Sequence, residues 1–294
     1  MVATFGRRYE VETDAGAAGG GELVDCVSRG KKHLAACGDQ VNIVATGPGQ
    51  GVIERLLPRR NFLERSDAFK RKSIAANVDQ VLVLAAVEPW ASEEFISRVL
   101  LITHAAGVPA LIALNKTDLP RATEARARLK MFEAAGHEII TLKAKPRDGS
   151  LPSAQEALLE LLLGKCTVLA GQSVMGKSSL INALIPDARA ATSELSSALK
   201  AGKHTTTFSR LYRIDAQSTI IDCPGMQEVG IHHLNIDDLE SGFGEFASYL
   251  GHCRFANCRH THEPDCALRS AGASGAVNPT RLALFQKLAT ELGR

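Results

Sequence analysis

The chain has no apolar run approaching ~18 residues, so no membrane-spanning helix is expected. Its opening, Met-Val-Ala-Thr-Phe-Gly-Arg-Arg-Tyr-Glu, lacks the apolar centre of a secretory signal. Aromatic residues are only 5%, too few for the composition to announce rows of stacking platforms for single-stranded nucleic acid. Seven cysteines without a leader argue against a disulfide framework. They point instead to metal ligation or free thiols in a reducing, cytoplasmic compartment. Nothing in the sequence calls for an oligomer, so a monomer is expected.

What is present is the composition of a globular protein: 294 residues, 45% hydrophobic and 22% charged, long enough for more than one domain. The charge is unevenly spread. Residues 1–75 carry 12 Lys+Arg against 9 Asp+Glu, residues 76–250 carry 16 against 20, and residues 251–294 carry 6 against 3. Basic ends around an acidic centre suit parts that touch a polyanion, and they equally suit ordinary surface variation.

One stretch dominates the middle. Cys166-Thr-Val-Leu-Ala-Gly171-Gln172-Ser173-Val174-Met175-Gly176-Lys177-Ser178-Ser179 is an apolar strand running into Gly-x-x-x-x-Gly-Lys-Ser, with a helical apolar pattern after it. That is the order a phosphate-binding loop requires. Glycines allow backbone N–H groups to approach a phosphate, and the helix N-terminus favours the anion. Lys177 would reach the β- and γ-phosphates, and Ser178 would ligate Mg²⁺. Asn115-Lys116-Thr117-Asp118 ends another apolar strand, Ala110–Leu114. A carboxylate at Asp118 can pair with guanine N1–H and the 2-amino group together. Adenine would leave it unpaired, at about 1–3 kcal/mol or more. Asn115 can brace the adjoining loop, and the Lys116 stem can lie over the base. Farther on, His137–Leu142 leads to Lys143-Ala144-Lys145, where the backbone of Ala144 and Lys145 would meet guanine O6.

After the phosphate loop, polar residues 186–203 precede His204-Thr205-Thr206-Thr207, consistent with a first switch whose threonine, assigned here to Thr206, closes on Mg²⁺ and the γ-phosphate. Asp222-Cys223-Pro224-Gly225 matches a second switch. Asp222 would contact Mg²⁺ through water, and the Gly225 N–H would sense the γ-phosphate. The base-reading motif precedes the phosphate loop by about 55 residues, the reverse of the usual order. An open α/β sheet tolerates this rotation, because ligand loops gather at the strand carboxyl ends whatever the chain order. The rotation leaves whatever follows residue 230 tethered directly to the second switch.

Residues 1–65 read as short alternating strands, at 22–28, 39–45 and 51–57, the pattern of a small OB-type barrel. The basic run from Arg55 to Lys72 is either a solvated linker or a contact for a phosphate backbone. At the other end, Cys253-x4-Cys258-x-His260-x5-Cys266 has the spacing of a closed Cys₃His zinc site, with His252 and His262 near enough to compete. Asn278-Pro279 opens an amphipathic closing helix.

On these motifs, with Ala75–Val81 before the sheet, the chain resembles the circularly permuted GTPases of the ribosome small subunit-dependent GTPase A family, over nearly its whole length. Lys143, Val174, Met175 and Cys223 depart from the usual family residues. The resemblance implies an OB-fold over 1–68, a permuted α/β GTPase domain over 69–230 and a zinc-binding α-helical domain over 231–294. It further implies one structural Zn²⁺, Mg²⁺ with GTP/GDP, and binding to 16S rRNA in the 30S subunit during late maturation. Hydrolysis would be stimulated by the subunit and followed by release. Met226 stands where Ras-like enzymes carry a water-orienting glutamine. The resemblance assigns that task to His204, with Gln227 as a weaker candidate. Other functions consistent with the sequence are a zinc-handling protein, or a GTPase acting on tRNA or mRNA.

Overall fold

The computed structural model describes residues 1–14, 21–29, 35–144, 153–185, 209–223 and 229–293. Five strands open the chain: β1 (Ala3–Phe5), β2 (Arg8–Glu12), β3 (Leu23–Ser28), β4 (Val41–Gly47) and β5 (Gln50–Leu56). The alternation in the sequence appears as burial, with Tyr9, Val11, Val24, Cys26 and Ile53 in one small core. β3 runs parallel to β5, which pairs antiparallel with β4. β4 ends the sheet among the described strands, so closure into an OB barrel is not among the pairings observed.

The basic run is not an unstructured linker. It forms a hairpin of β6 (Phe62–Ser66) and β7 (Arg71–Ala76), which buries Leu63, Ile74, Ala75 and Ala76 while exposing Lys70, Arg71 and Lys72. Charged residues at the turn mask a short apolar face.

The nucleotide sheet follows: β8 (Gln80–Ala86), α1 (Glu93–Ala105), β9 (Ala110–Asn115), α2 (Ala122–Ala134), β10 (Ile139–Thr141), α3 (Ser153–Leu162), β11 (Cys166–Ala170), α4 (Lys177–Leu184), β12 (Ser209–Arg213) and β13 (Thr219–Asp222). β10, β9, β8, β11 and β13 are parallel in that spatial order. Every residue of β8 is buried, as a central parallel strand covered on both faces requires. β12 turns antiparallel at the margin and pairs with β1, which joins the N-terminal strands to one continuous 11-stranded sheet. α1 begins where Ser92 Oγ accepts the Phe95 N–H at 3.1 Å, with Glu93 and Glu94 in its first turn.

The C-terminal part contains α5 (Ile236–Gly242), α6 (Ala267–Ala273) and α7 (Pro279–Leu292). Asn278 caps α7 by accepting from Thr280 and Arg281, with Pro279 in the first turn, as its sequence signals. Phe243, Phe246 and Phe285 pack with ring centroids 5.3–5.5 Å apart. Arg281 is 2% exposed, yet fully engaged. Its Nε donates to Glu245 at 2.6 Å, Nη1 donates to Ser97 of α1 at 3.1 Å, and its guanidinium lies 4.1 Å from the Phe243 ring centroid. The C-terminal helices are thereby fastened onto α1, and their apolar residues continue the main core.

Candidate nucleotide and metal sites

The phosphate loop leaves β11 at Gly171 and enters α4 at Lys177. Gly176, at φ 100, occupies the left-handed region, and a Cβ there would collide with Asn115 Nδ2. Only glycine meets both demands. Val174 also sits at positive φ, 67, where a β-branched side chain is strained, and it is 71% exposed. The backbone at this position takes a conformation that favours glycine, under a valine.

Asn115 and Lys116 hold the loop from across the sheet. Asn115 Nδ2 donates to the Met175 carbonyl and Asn115 Oδ1 accepts the Ala144 N–H, both at 2.9 Å, so one buried amide joins three segments. The Ala144 N–H, expected at guanine O6, is thus engaged by Asn115. Lys116 Nζ donates to the carbonyls of Val174 at 2.9 Å and Glu88 at 2.6 Å, stretching its stem beside the loop. Thr117 Oγ1 donates to the Leu142 carbonyl at 3.1 Å, and Asp118 is half-buried next to it. Gln172 Oε1 accepts the Ser92 N–H at 3.2 Å, linking the loop to the start of α1. Ser173 and Ser178 are exposed, with Ser179 half-buried in the first turn of α4.

Lys177 folds back on its own loop, donating to the carbonyls of Gly171 (2.7 Å) and Gln172 (2.9 Å). Burial lowers its ammonium below the usual lysine range, and Asp222 opposes that shift. Asp222 ends β13, in register with Leu169 of β11. Burial raises its carboxyl above the ordinary range, against the pull of Lys177, and Oδ1 finds no hydrogen-bond partner among the described residues. A buried carboxylate oxygen left orphaned beside a phosphate loop fits the outer shell of Mg²⁺. Cys223 lies beneath it, with its Sγ 3.4 Å from Ser209 Oγ. Burial pushes this thiol up to about 12, so it serves as packing and not as a nucleophile. Lys145, His204, Thr206 and Gly225 lie outside the described residues.

The metal cluster is formed as its spacing predicts. Cys253, Cys258, His260 and Cys266 place one ligand atom each within 4.8 Å of the others. Zn–S bonds of ~2.3 Å and Zn–N bonds of ~2.0 Å at tetrahedral angles require S···S near ~3.8 Å and S···N near ~3.5 Å. Cys253 and Cys266 Sγ are 3.7 Å apart, and each is 3.4 Å from His260 Nδ1. The donor set therefore fits zinc, with His260 ligating through Nδ1. Its Nε2 faces Glu240 at 3.5 Å, the outer carboxylate that commonly orients a ligating imidazole. Burial pushes the Cys258 thiol up to about 12, the His260 backbone N–H opposes this, and the Cys253 and Cys266 thiols add to it. His252 and His262 are exposed and outside the cluster.

Several contributors escaped the motifs. Arg98 of α1 reaches Glu94, the α7 residue Glu291 and the Val229 carbonyl. Ser66 Oγ and His233 Nδ1 are 2.8 Å apart, and the Ser66 N–H donates to the Gly230 carbonyl at 3.0 Å. The segment leaving the second switch is thus clipped to the β6 edge and to α1. No local pattern signals contacts over 131 to 193 positions.

A parallel sheet whose carboxyl ends bring together a Gly-Lys-Ser loop, an Asn-Lys-Thr-Asp segment and a buried aspartate fits a GTP hydrolase of the phosphate-loop class, circularly permuted in chain order. The profile described as RsgA GTPase matches residues 56–232. The chain is 45% identical to the small ribosomal subunit biogenesis GTPase RsgA of Burkholderia pseudomallei strain K96243, over 99% of this chain and 91% of that one. Identity to the protein of the same name from Ralstonia nicotianae is also 45%, with the same coverage. Among solved structures, YjeQ from Thermotoga maritima superposes with TM-score 0.70 at 29% identity, covering 100% of this chain and 98% of that chain. YloQ, a circularly permuted GTPase, shares the fold at TM-score 0.67 and 22% identity. The chain belongs to the RsgA GTPase family.

Proposed function

We propose that this GTPase acts in late maturation of the small ribosomal subunit: it binds the 30S particle through 16S rRNA, hydrolyses GTP when the particle stimulates it, and leaves in the GDP state. The observation that carries the reading is the 45% identity along 99% of the chain to GTPases named for small-subunit biogenesis. Residues 1–68 and 231–294 flank the GTPase part at 69–230 as two arms for the particle, and the protein works as a cytoplasmic monomer. No helix among the described residues is long and apolar enough to cross a membrane.

Asp118 selects guanine, Lys177 moves from the loop carbonyls to the β- and γ-phosphates, and Ser178, Thr206 and Asp222 are the residues that would hold Mg²⁺ when it arrives with the nucleotide. Mg²⁺ bound with the nucleotide neutralises charge on the phosphates. The buried Lys177 and Asp222 keep that charge field in a site of low dielectric. His204 orients the attacking water on the particle, and Gly225 reports the γ-phosphate to residues 229–233. The metal cluster is built into the fold: Cys258, His260 and Cys266 are 8%, 3% and 2% exposed, and Gln286 of α7 donates to the His260 carbonyl at 2.7 Å. Such burial favours a structural ion over zinc handling.

Phosphate release from GTP, measured alone and with purified 30S or 50S subunits, tests the reading. Stimulation by 30S alone is expected. His204→Ala should keep GTP binding and lose the stimulation. Equal rates with 30S, 50S and no particle would overturn the ribosomal role, and full stimulation of His204→Ala would overturn the role of that histidine.

A further inference from the structure

Residues 87–92 join β8 to α1 and pass both halves of the nucleotide site. The base motif holds one end, where Lys116 Nζ donates to the Glu88 carbonyl at 2.6 Å. The phosphate loop holds the other, where Gln172 Oε1 accepts the Ser92 N–H at 3.2 Å. Between them stands Trp90, half-buried and the one tryptophan of the chain. Its Nε1 donates to Glu93 at 3.2 Å, and the guanidinium of Arg128 on α2 lies 4.2 Å from its ring centroid. The entry to α1 is therefore gripped by both nucleotide motifs.

Whatever reaches the first turn of α1 is carried along it. Ser92 caps the helix, and Phe95, Ile96, Val99, Leu100 and Ile102 are buried, so close packing makes it shift as one body. Farther on, Arg98 Nη1 donates to the Val229 carbonyl at 3.3 Å and pairs with Glu291 of α7. Ser97 Oγ accepts Arg281 Nη1 at 3.1 Å, a second tie to α7. Within roughly two turns, one helix touches the phosphate loop, the segment that begins at Val229 and the last helix of the chain.

Coupling between two sites needs a group with two places to be. Lys177 has them. Its ammonium rests on the carbonyls of Gly171 (2.7 Å) and Gln172 (2.9 Å), and bound phosphates would draw it away. Gln172 stands between that cation and α1, since its backbone carbonyl holds Lys177 while its side chain holds Ser92. Releasing the carbonyl re-aims the side chain. We propose that Gln172 is a positioning residue that passes phosphate occupancy to α1, and that Arg98 hands it on to the segment from Val229 and to α7. The inference rests on the proposed move of Lys177 to the phosphates and is independent of the particle the GTPase serves.

The test follows two probes in the full chain, Trp90 emission and amide exchange at residues 229–233. Each is read with no nucleotide, with GDP and with a non-hydrolysable GTP analogue. Saturating nucleotide and Mg²⁺ keep changes of affinity out of the comparison. In the wild type both probes should respond, exchange by about fivefold or more, the lower end of usual allosteric couplings. Gln172→Ala should silence both, and Gln172→Glu, which keeps an acceptor for the Ser92 N–H, should restore them. Arg98→Lys should keep the Trp90 response and lose the one at 229–233, an order that a plain loss of stability would not produce. Full response of both probes in Gln172→Ala would overturn the inference and leave the Lys177 move standing. Lys177→Met should hold both probes near their nucleotide-bound values throughout. Values equal to those of the nucleotide-free wild type would overturn the Lys177 move, and the inference with it.

Discussion

Arg98 on α1 and Glu291 on α7 meet through both guanidinium prongs, and Arg98 Nη1 also donates to the carbonyl of Val229 at 3.3 Å. Val229 is the first described residue after the second-switch motif. Lys287 on the same face of α7 pairs with Glu94, and His232 Nε2 stands 3.5 Å from Glu291. The segment that begins at Val229, the first helix of the GTPase sheet and the last helix of the C-terminal part therefore share one charge cluster. Circular permutation makes this adjacency possible, because the chain passes from β13 directly into that part.

Breaking the cluster at its centre should be costly. Arg98→Ala leaves Glu94 and Glu291 without their guanidinium and should lower stability by about 3 kcal/mol, measured by urea denaturation. Replacing both members, as Arg98→Met with Glu291→Met, should cost less than the sum of the single variants, because Glu291 is no longer left without its partner and Glu94 keeps Lys287. Additive losses would mean the pair is not coupled.

The phosphate loop offers a gain. Val174→Gly relieves a β-branched residue at φ 67, and the relief of about 1–3 kcal/mol exceeds the ~0.5–1 kcal/mol that glycine's unfolded freedom removes. Thermal unfolding should move upward by a few degrees, and GDP affinity should hold or rise. The opposite change, Gly176→Ala, forces a Cβ against Asn115 Nδ2 and should weaken nucleotide binding at least about tenfold, as misplaced backbone donors would. Calorimetric titration with GDP reads both.

Asp222 couples stability to function. Its carboxyl is raised by burial, so the neutral form favours the folded state. That contribution is complete below the ordinary aspartate value of about 3.9 and is lost as pH rises through the raised folded value. At pH 7 without Mg²⁺ the ionised group is a cost. Asp222→Asn should therefore stabilise the nucleotide-free protein by about 1–3 kcal/mol at neutral pH. The difference should vanish near pH 4, and GTP binding should need a higher Mg²⁺ concentration. Denaturation curves at both pH values check the sign.

The motif segments were legible because each is local: strand, loop and helix are contiguous at 166–184, and the four residues of the Cys/His cluster fall between 253 and 266. The alternating strands and the capped closing helix were legible for the same reason. The β6–β7 hairpin was not, because Glu64, Arg65, Lys70, Arg71 and Lys72 hide the buried faces of Leu63 and Ile74 in a run that reads as polar. Arg98 looks like any solvent-facing helical charge until folding brings α7 beside it. Nor does the valine at position 174 announce in sequence that its backbone is left-handed.

Zinc should be required for the C-terminal fold and not exchanged freely. One equivalent per chain is expected by metal analysis, and Cys258→Ser should release it and loosen α7, seen as faster amide exchange at Leu288 and Ala289. Exchange unchanged by the loss of zinc would separate the metal from the packing of Phe285 and its neighbours.

The central claim, a switch that leaves the small subunit after hydrolysis, is tested most directly by co-sedimentation of the full chain with 30S subunits in a non-hydrolysable GTP analogue and in GDP. Retention with the analogue and loss with GDP is the predicted result. Equal retention in both nucleotides would contradict the account, because nucleotide state would then have no output on the particle.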